Sequence, residues 1–363
     1  GARVIAGLVA QGWRIGVVAQ SHEVVENLLR GVVEAGVDPD RVGKKPPSGS
    51  TERRPWRLLT RGADAADFWA SHGGQGLVMG GTAWDLTNPG RLPGGGLDLV
   101  VVDEAGQFSL AQTLAVSMAG SRLLLLGDPQ QLPQVSHGSH PEPVDRSALG
   151  WLMEGHETLP DRFGYFLPQT WRMHPALCDV VSRLSYGGRL AAVPRAAERS
   201  LDGVAPGVRV LRVAHEGHAV TSPEEASTVV GLVRDLVGRR WRDPAEGVDR
   251  PLAPADVLVV AAYNAQVWAV RAALDHAGLD GVRVGTVDTF QGKQAAVVLV
   301  TTAASSPQDV PRGMEFLLNR NRVTVAISRA QWCAVVVRAE GLTDYLPSTP
   351  AHLAELGAFL GLG

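Results

Sequence analysis

Lysine is nearly missing from this chain. Only Lys44, Lys45 and Lys293 stand among 34 basic residues; the rest are arginine. Any chemistry that depends on a lysine therefore has three positions to draw on. Cysteine is scarcer still: Cys178 and Cys333 are the two in 363 residues. That excludes a disulfide framework and favours a reducing compartment, the cytoplasm. His174 and Cys178 suggest metal ligands on paper, but two residues do not make a site. No run of 18 apolar residues, no signal-peptide pattern and no internal repeat occurs, so neither a helical membrane span nor a repeat array is expected. A basic surplus is absent too. The net charge is −3 and the pI about 6.4, unlike the charged footprint of non-specific DNA binders. A protein that grips one strand in a narrow channel needs no such surplus, so this absence excludes little. What remains is a chain with 45% hydrophobic residues, long enough for two cores.

The richest stretch is Asp103-Glu104-Ala105-Gly106-Gln107, placed straight after the apolar run Leu97-Asp98-Leu99-Val100-Val101-Val102. The run reads as a buried parallel strand, and ligands of open α/β sheets bind at the carboxyl ends of such strands. One carboxylate there suits Mg²⁺ and the other a water, the division of labour that nucleotide hydrolysis needs. Taken alone, the pair reads as readily as an acidic helix cap. It does not stand alone. Gly127-Asp128-Pro129-Gln130-Gln131-Leu132-Pro133-Gln134-Val135 follows a second strand, Leu123 to Leu126. Gln169-Thr170-Trp171-Arg172-Met173-His174-Pro175, Val287-Asp288-Thr289-Phe290-Gln291-Gly292-Lys293-Gln294 and Asn321 to Ala330 come later, in that order.

These stretches closely resemble motifs II, III, IIIa, V and VI of superfamily 1 helicases. The Gln-aromatic-Arg-Met-His-Pro element is similar to that of the 1B branch, which contains the nonsense-mediated-decay helicase. Arg14 to Leu29, with Val17-Val18-Ala19-Gln20-Ser21-His22, resembles motif Ia, and Tyr263-Asn264-Ala265-Gln266 resembles motif IV. The resemblance implies an α/β fold of two tandem RecA-like P-loop NTPase domains with mostly parallel sheets. It implies ATP and Mg²⁺ as cofactors, single-stranded DNA or RNA as partner, and 5′→3′ translocation. Motif I, Gly-x-x-x-x-Gly-Lys-[Ser/Thr], is missing. Gly43-Lys44-Lys45-Pro46-Pro47 is a decoy with no upstream Gly at the right spacing and prolines where a helix should start. The opening segment Gly1 to Ala10 has the apolar spacing of a helix, and in the family that helix follows the phosphate loop. The expectation is a fragment that begins a few residues past the loop, inactive alone.

The roles the resemblance implies are specific. Asp103 holds Mg²⁺ through water, and Glu104 orients and deprotonates the attacking water. Gln131 senses the γ-phosphate. Arg172 and Arg329 act as arginine fingers. Asp128 and Gly292 lie at the nucleotide, where Gly292 permits close backbone approach. Arg322 reads equally as a structural ion pair. Tyr263 and Gln266 border the adenine, although Tyr263 reads equally as core. Ser21, His22, Thr82 and Thr289 contact the strand backbone, with a helix N-cap as a serious rival for Ser21. Glu104, Gln131, Arg172, Gly292 and Arg329 are expected to line one cleft. Gln294 replaces the family's Glu, and Trp171 its Tyr. The motif Ia region also resembles bacterial proteins that fuse such a helicase to an upstream RecB-like nuclease domain, a possible partner within the same protein.

The expected boundaries are residues 1–166 and 167–363. Residues 38–75 are expected as a surface insertion, residues 135–166 as a bridge, and Pro244 to Pro254 as a loop. A non-catalytic nucleic-acid-binding or scaffolding module remains the alternative, favoured by the missing loop.

Overall fold

The structure is a computed structural model that describes residues 1–47, 49, 53–72, 74–92, 96–132, 141–153, 155–290 and 292–362. Pro133-Gln134-Val135 of motif III, the start of the expected bridge and Gln291 of motif V lie outside the described residues. The chain divides into two compact units, Gly1–His156 and Glu157–Gly363.

The first unit runs α1 (Ala2–Ala10), β1 (Arg14–Val18), α2 (His22–Glu34), β2 (Val42–Lys44), β3 (Arg57–Leu58), α3 (Gly62–His72), β4 (Leu77–Gly81), α4 (Ala83–Leu86), β5 (Leu99–Val102), α5 (Leu110–Ser117), β6 (Leu123–Leu125) and α6 (Ala148–Met153). Its six strands lie in the order β3-β2-β4-β1-β5-β6, and every pairing is parallel. Both faces are covered. Val17, Val78 and Val101 pack under Ile5, Val9, Val25 and Leu29 of α1 and α2. Val18, Val100 and Val102 pack under Phe68, Leu86 and Val116 from α3, α4 and α5. Two buried faces explain why these strands read as unbroken apolar runs rather than alternating ones.

Residues 38–75 are not a surface insertion. They supply two strands of the sheet and a helix that buries Ala65, Phe68 and Trp69. The pattern hid them because β2 is Val42-Gly43-Lys44, three residues ending in a cation, and β3 has two residues. Such short strands carry no periodicity.

The second unit runs β7 (Gln169–Thr170), α7 (Pro175–Ser185), β8 (Ala191–Ala192), β9 (Ser200–Leu201), β10 (Gly207–Val213), α8 (Pro223–Leu236), β11 (Arg240–Asp243), β12 (Val248–Pro251), β13 (Val257–Ala261), α9 (Asn264–His276), β14 (Arg283–Gly285), β15 (Ala295–Thr301), α10 (Met314–Leu318), α11 (Arg320–Ile327), β16 (Ala330–Ala339) and α12 (Pro350–Leu360). Its main sheet has the order β10-β16-β15-β13-β14 and is again wholly parallel. Val229, Val233, Val270 and Leu274 of α8 and α9 cover Val257, Val259, Val297 and Leu299. Α small antiparallel sheet, β12-β11-β9, stands beside it, so the expected loop at Pro244 to Pro254 contains a strand. The α/β class with parallel sheets is the one the motifs imply.

Candidate functional site

Parallel strands set the geometry of the first unit. All six end at one edge, so the segments that follow β1, β5 and β6 emerge side by side. Asp103 donates its backbone N–H to the Val18 carbonyl (2.8 Å), and Ala105 to that of Leu126 (2.8 Å). The two acidic loops meet backbone to backbone. A Cβ on Gly106 would stand 2.2 Å from the Asp128 carbonyl oxygen, and one on Gly127 would stand 2.7 Å from the Ala105 nitrogen. Only glycine permits both approaches. Asp103, Glu104, Asp128 and Gln131 are thereby gathered at one place. The acidic pair is no helix cap: residues 103–106 form turns, and α5 starts at Leu110 under a Ser109 cap.

Glu104 has a φ of 51°, a left-handed conformation that a non-glycine residue holds only when its surroundings impose it. Burial pushes the Asp103 carboxyl above the usual range, opposed in part by the Glu104 N–H, which donates to its Oδ1 at 3.1 Å. Asp128 Oδ1 accepts from the Gln130 N–H at 2.9 Å.

At the same edge, after β1 and β4, lie Ser21, His22 and Thr82. The Ser21 hydroxyl accepts from the Val24 N–H at 3.3 Å, so the N-cap reading is realised. Thr82 binds Asp85 through its N–H (3.0 Å) and hydroxyl (2.9 Å), closing the first turn of α4. Lys44, the decoy of the sequence, is 0% exposed. Its ammonium meets His22 Nδ1 (3.0 Å), Glu26 Oε1 (3.1 Å) and the Lys45 carbonyl (3.0 Å). Three donors with three acceptors are what a buried ammonium requires. Burial, then the nearby Lys44 charge, lowers the His22 pKa, which suits an imidazole nitrogen that accepts. Lys45 pairs with Asp85 at 3.5 Å, and Trp84 beside it is 84% exposed. Sequence reasoning missed Lys44. The available signal was its type, one of three lysines in a chain that otherwise uses arginine.

The second unit gathers its arginines differently. Arg172 donates from Nε to Gln294 Oε1 (3.1 Å) and from Nη1 to the Ser328 carbonyl (3.2 Å). Segments 122 and 156 residues further along the chain thus meet at the Arg172 side chain. Arg329 is 3% exposed; its Nε donates to the Val325 carbonyl (3.0 Å), and its own carbonyl accepts from Ala295 N (3.0 Å). The Trp171–Arg172 backbone is held in turn by Arg199, which donates to the Arg172 carbonyl (2.6 Å), the Trp171 carbonyl (3.2 Å) and Asp243 (2.8 Å). Arg199 and Asp243 are both buried, and no local pattern in the sequence marks either. His174 N–H bonds the Gln331 carbonyl (2.7 Å) while its ring packs edge-on against Trp332. Trp171 stays 68% exposed. Gly292 has a φ of 74° with open space where a Cβ would stand.

Tyr263 and Gln266 do not join this group. Arg172, Gln294 and Arg329 cluster at the amino ends of β15 and β16, whereas Tyr263 and Gln266 follow the carboxyl end of β13, which pairs in parallel with β15. The two groups occupy opposite edges of one sheet. Gln266 is 0% exposed, and its amide donates to the Ser222 carbonyl (3.3 Å) and Thr301 Oγ1 (3.0 Å) while accepting from Ser222 N–H (2.8 Å). Both donors are thus spent inside the fold. Tyr263 packs against Phe316, and burial raises its pKa. Thr289 is exposed on the turn after β14. Arg322 lies over the Phe316 ring and 3.9 Å from Asp288, the structural ion pair its sequence context left open.

Among the described residues no helix is long and apolar enough to cross a membrane.

Residues 144–340, over half of the chain, match the AAA domain family AAA_12. Mov-10-B.2 of Danio rerio, which carries the name of a helicase, is 29% identical over 303 residues, covering 69% of this chain and 29% of that protein. The DNA-binding protein SMUBP-2 of Rattus norvegicus is 28% identical over 266 residues, covering 68% of this chain and 25% of its own length. The DNA replication ATP-dependent helicase/nuclease JHS1 of Arabidopsis thaliana is 22% identical over 368 residues, covering 94% of this chain and 26% of that protein. The chain therefore spans between a quarter and a third of the length of these relatives. It belongs to the AAA domain family and is a superfamily 1 helicase-like region.

Proposed function

We propose that this chain is the motor core of an ATP-dependent 5′→3′ nucleic-acid helicase, its two units, Gly1–His156 and Glu157–Gly363, acting as RecA-like domains. The carrying observation is the pair of clusters: two acidic loops locked together at the carboxyl edge of the first sheet, and Arg172 joined to Gln294 and to the Ser328–Arg329 segment at the amino edge of the second. The donor set fits Mg·ATP in part. Asp103 suits Mg²⁺ through water, and the open position beside Gly292 suits a phosphate or ribose. No residue of the chain supplies the lysine and glycine cradle for the β- and γ-phosphates. When bound, Mg·ATP supplies the anhydride whose cleavage drives translocation. Glu104 orients water and takes its proton, Gln131 reports the γ-phosphate, and Arg172 and Arg329 stabilise the charge that develops. Asp128 steadies the turn that carries Gln131. Trp171, exposed beside Arg172, offers the aromatic face for the base in place of Tyr263 and Gln266. Ser21, His22, Thr82 and Thr289 position the strand by its backbone.

This reading places the chain in the cytoplasm, and the name of the JHS1 relative supports a nuclease domain in the same protein. The second reading is a nucleic-acid-binding module without turnover of its own. In both, the isolated chain hydrolyses ATP negligibly; strand-stimulated turnover of about 1–1000 s⁻¹ from it would refute that. One assay separates the readings. With a phosphate loop supplied ahead of Gly1, Glu104→Gln should abolish turnover with ATP and strand binding kept, and Arg329→Ala should slow it by about 10³–10⁵. Variant rates within a few-fold of the parent would sink the catalytic assignment, and a parent without strand-stimulated turnover would leave only the binding module.

A further inference from the structure

A second constellation lies at the carboxyl edge of the second sheet, away from the arginines. The loop after β10 carries His215 and His218, and α8 opens with Pro223-Glu224-Glu225. The imidazole centroids are 5.4 Å apart. One ligand atom each from His215, His218 and Glu224 falls within 4.8 Å of the others, and His218 Nε2 is already 3.0 Å from Glu224 Oε2. With zinc–ligand bonds of about 2.0–2.2 Å, tetrahedral neighbours stand about 3.3 Å apart. That pair therefore has the separation of two ligands on one ion.

The supporting groups are in place as well. Ser305 Oγ bonds His215 Nδ1 (2.8 Å) and accepts from the His218 N–H (2.9 Å), so one hydroxyl fixes both histidines. His215 Nε2 faces Glu225 Oε1 at 3.1 Å. Glu225 is 0% exposed and accepts from Thr302 N–H (2.9 Å), Ala303 N–H (3.0 Å), Thr302 Oγ1 (3.1 Å) and Thr301 Oγ1. A carboxylate or hydroxyl behind the imidazole is how metal-binding histidines are oriented, and His215 has both; Ser305 fixes His218 through its backbone N–H.

Ser305, His215 and Glu225 also have the connectivity of a hydrolase triad, but Ser305 is buried and its oxygen is already held by His218 N–H. A nucleophile in that position would have no access to substrate. Glu224 and His218, by contrast, are partly exposed, so an ion has a way in from solvent.

We propose that His215, His218 and Glu224 form a Zn²⁺ site, with water as a fourth ligand. One ring nitrogen of His215 ligates while the other keeps its partner, Glu225 or Ser305. Two imidazoles and one carboxylate suit Zn²⁺; Mg²⁺ and Ca²⁺ favour all-oxygen shells. The ion would staple the loop after β10 to the first turn of α8.

The untagged chain, stripped with EDTA, is titrated with Zn²⁺ against a chromophoric chelator, with Mg²⁺ as control. The expected result is one equivalent of Zn²⁺ bound per chain, a rise in Tm with Zn²⁺ but not with Mg²⁺, and at least about tenfold weaker binding in His218→Ala and in Glu224→Ala. Substoichiometric binding, or equal binding by the wild type and the His218→Ala/Glu224→Ala double variant, would overturn the site. Should the variants not fold, Co²⁺ added to the wild-type chain decides. Intense visible bands of four- or five-coordinate cobalt support the site, and the weak spectrum of octahedral aqueous cobalt overturns it.

Discussion

The two units solve the same problem by opposite means. In the first, the loops after β5 and β6 are held by main chain on main chain, which Gly106 and Gly127 allow. In the second, the segment Trp171–Arg172 is held by guanidinium groups that reach carbonyl oxygens across the fold, Arg172 to Ser328 and Arg199 to Trp171 and Arg172. A backbone lock is stiff and tolerates no added atom. A guanidinium lock has long reach and depends on buried charge being matched. The difference suits the proposed tasks, since a base must be fixed relative to its water, whereas arginines must engage and disengage with each nucleotide cycle.

The largest expected effect tests the guanidinium lock. Arg199→Ala leaves Asp243 as a buried carboxylate without its partner and frees two carbonyls beneath Arg172. Removing one member of a buried pair costs about 3–5 kcal/mol. Denaturant unfolding should show that loss, and Arg199→Met/Asp243→Leu should recover much of it. A single-variant cost below about 1 kcal/mol would show that the pair behaves as an exposed one, and the contrast between the units would fail.

Next in size is the backbone lock. Gly106→Ala puts a methyl 2.2 Å from the Asp128 carbonyl oxygen. Neither partner is a flexible side-chain end, so the loops must part. Overpacking of this kind costs about 1–3 kcal/mol, and the displaced Glu104 should lose turnover in any version that has it. Unchanged stability by the same denaturant measurement would mean that the loops are not locked.

How far this was legible follows the same division. The strands β1, β4, β5, β13, β15 and β16 are long apolar runs because both faces of their sheets are covered, and their motifs announce themselves at the ends. The supports are hidden. Lys44 looks like a failed phosphate loop, and nothing local says that Glu26, 18 residues earlier, neutralises it. Glu225 looks like an acid favoured in a first helical turn; its burial is set by residues 301–303, which are 76–78 positions away. Gln266 sits correctly after a strand, yet its amide is consumed by Ser222 and Thr301. Motifs record what meets the ligand, whereas supports are pairings between distant residues, and one sequence does not reveal pairings.

A smaller effect sharpens the comparison at the opposite edge of the first sheet. There Arg14 grips Asp98 through its backbone N–H (2.8 Å), Nε (3.1 Å) and Nη2 (3.1 Å), tying the start of β1 to that of β5. The Arg14 hydrogen bonds hold the Asp98 carboxyl below its usual range. A depressed carboxylate adds stability above its unfolded pKa of about 3.9, and that contribution is lost as pH falls through the lower folded value. Wild type should therefore lose stability below about pH 4 more steeply than Asp98→Asn, by at most about 1 kcal/mol because the pair is partly exposed. Parallel acid limbs in urea titrations would show that the Arg14–Asp98 side-chain clamp contributes nothing to the first unit.

The smallest effect concerns Ser21, where cap and ligand readings compete for one hydroxyl. Its Oγ accepts from the Val24 N–H at the start of α2, yet the residue is exposed at the edge proposed for the strand. Alanine and glycine separate the roles. A cap lost to alanine costs about 0.5–2 kcal/mol, whereas glycine at the same position costs only a few tenths, because it leaves the helix start open to water. A phosphate contact made by the hydroxyl is lost equally in both. Ser21→Ala should therefore destabilise the chain more than Ser21→Gly in thermal unfolding, while both lower affinity for a single strand by the same modest factor at fixed salt. If Ser21→Gly binds the strand as tightly as wild type, the hydroxyl is a cap alone. The backbone lock of the first unit would then extend from its acidic loops to its strand-binding edge, with the contacts there left to Thr82 and backbone amides.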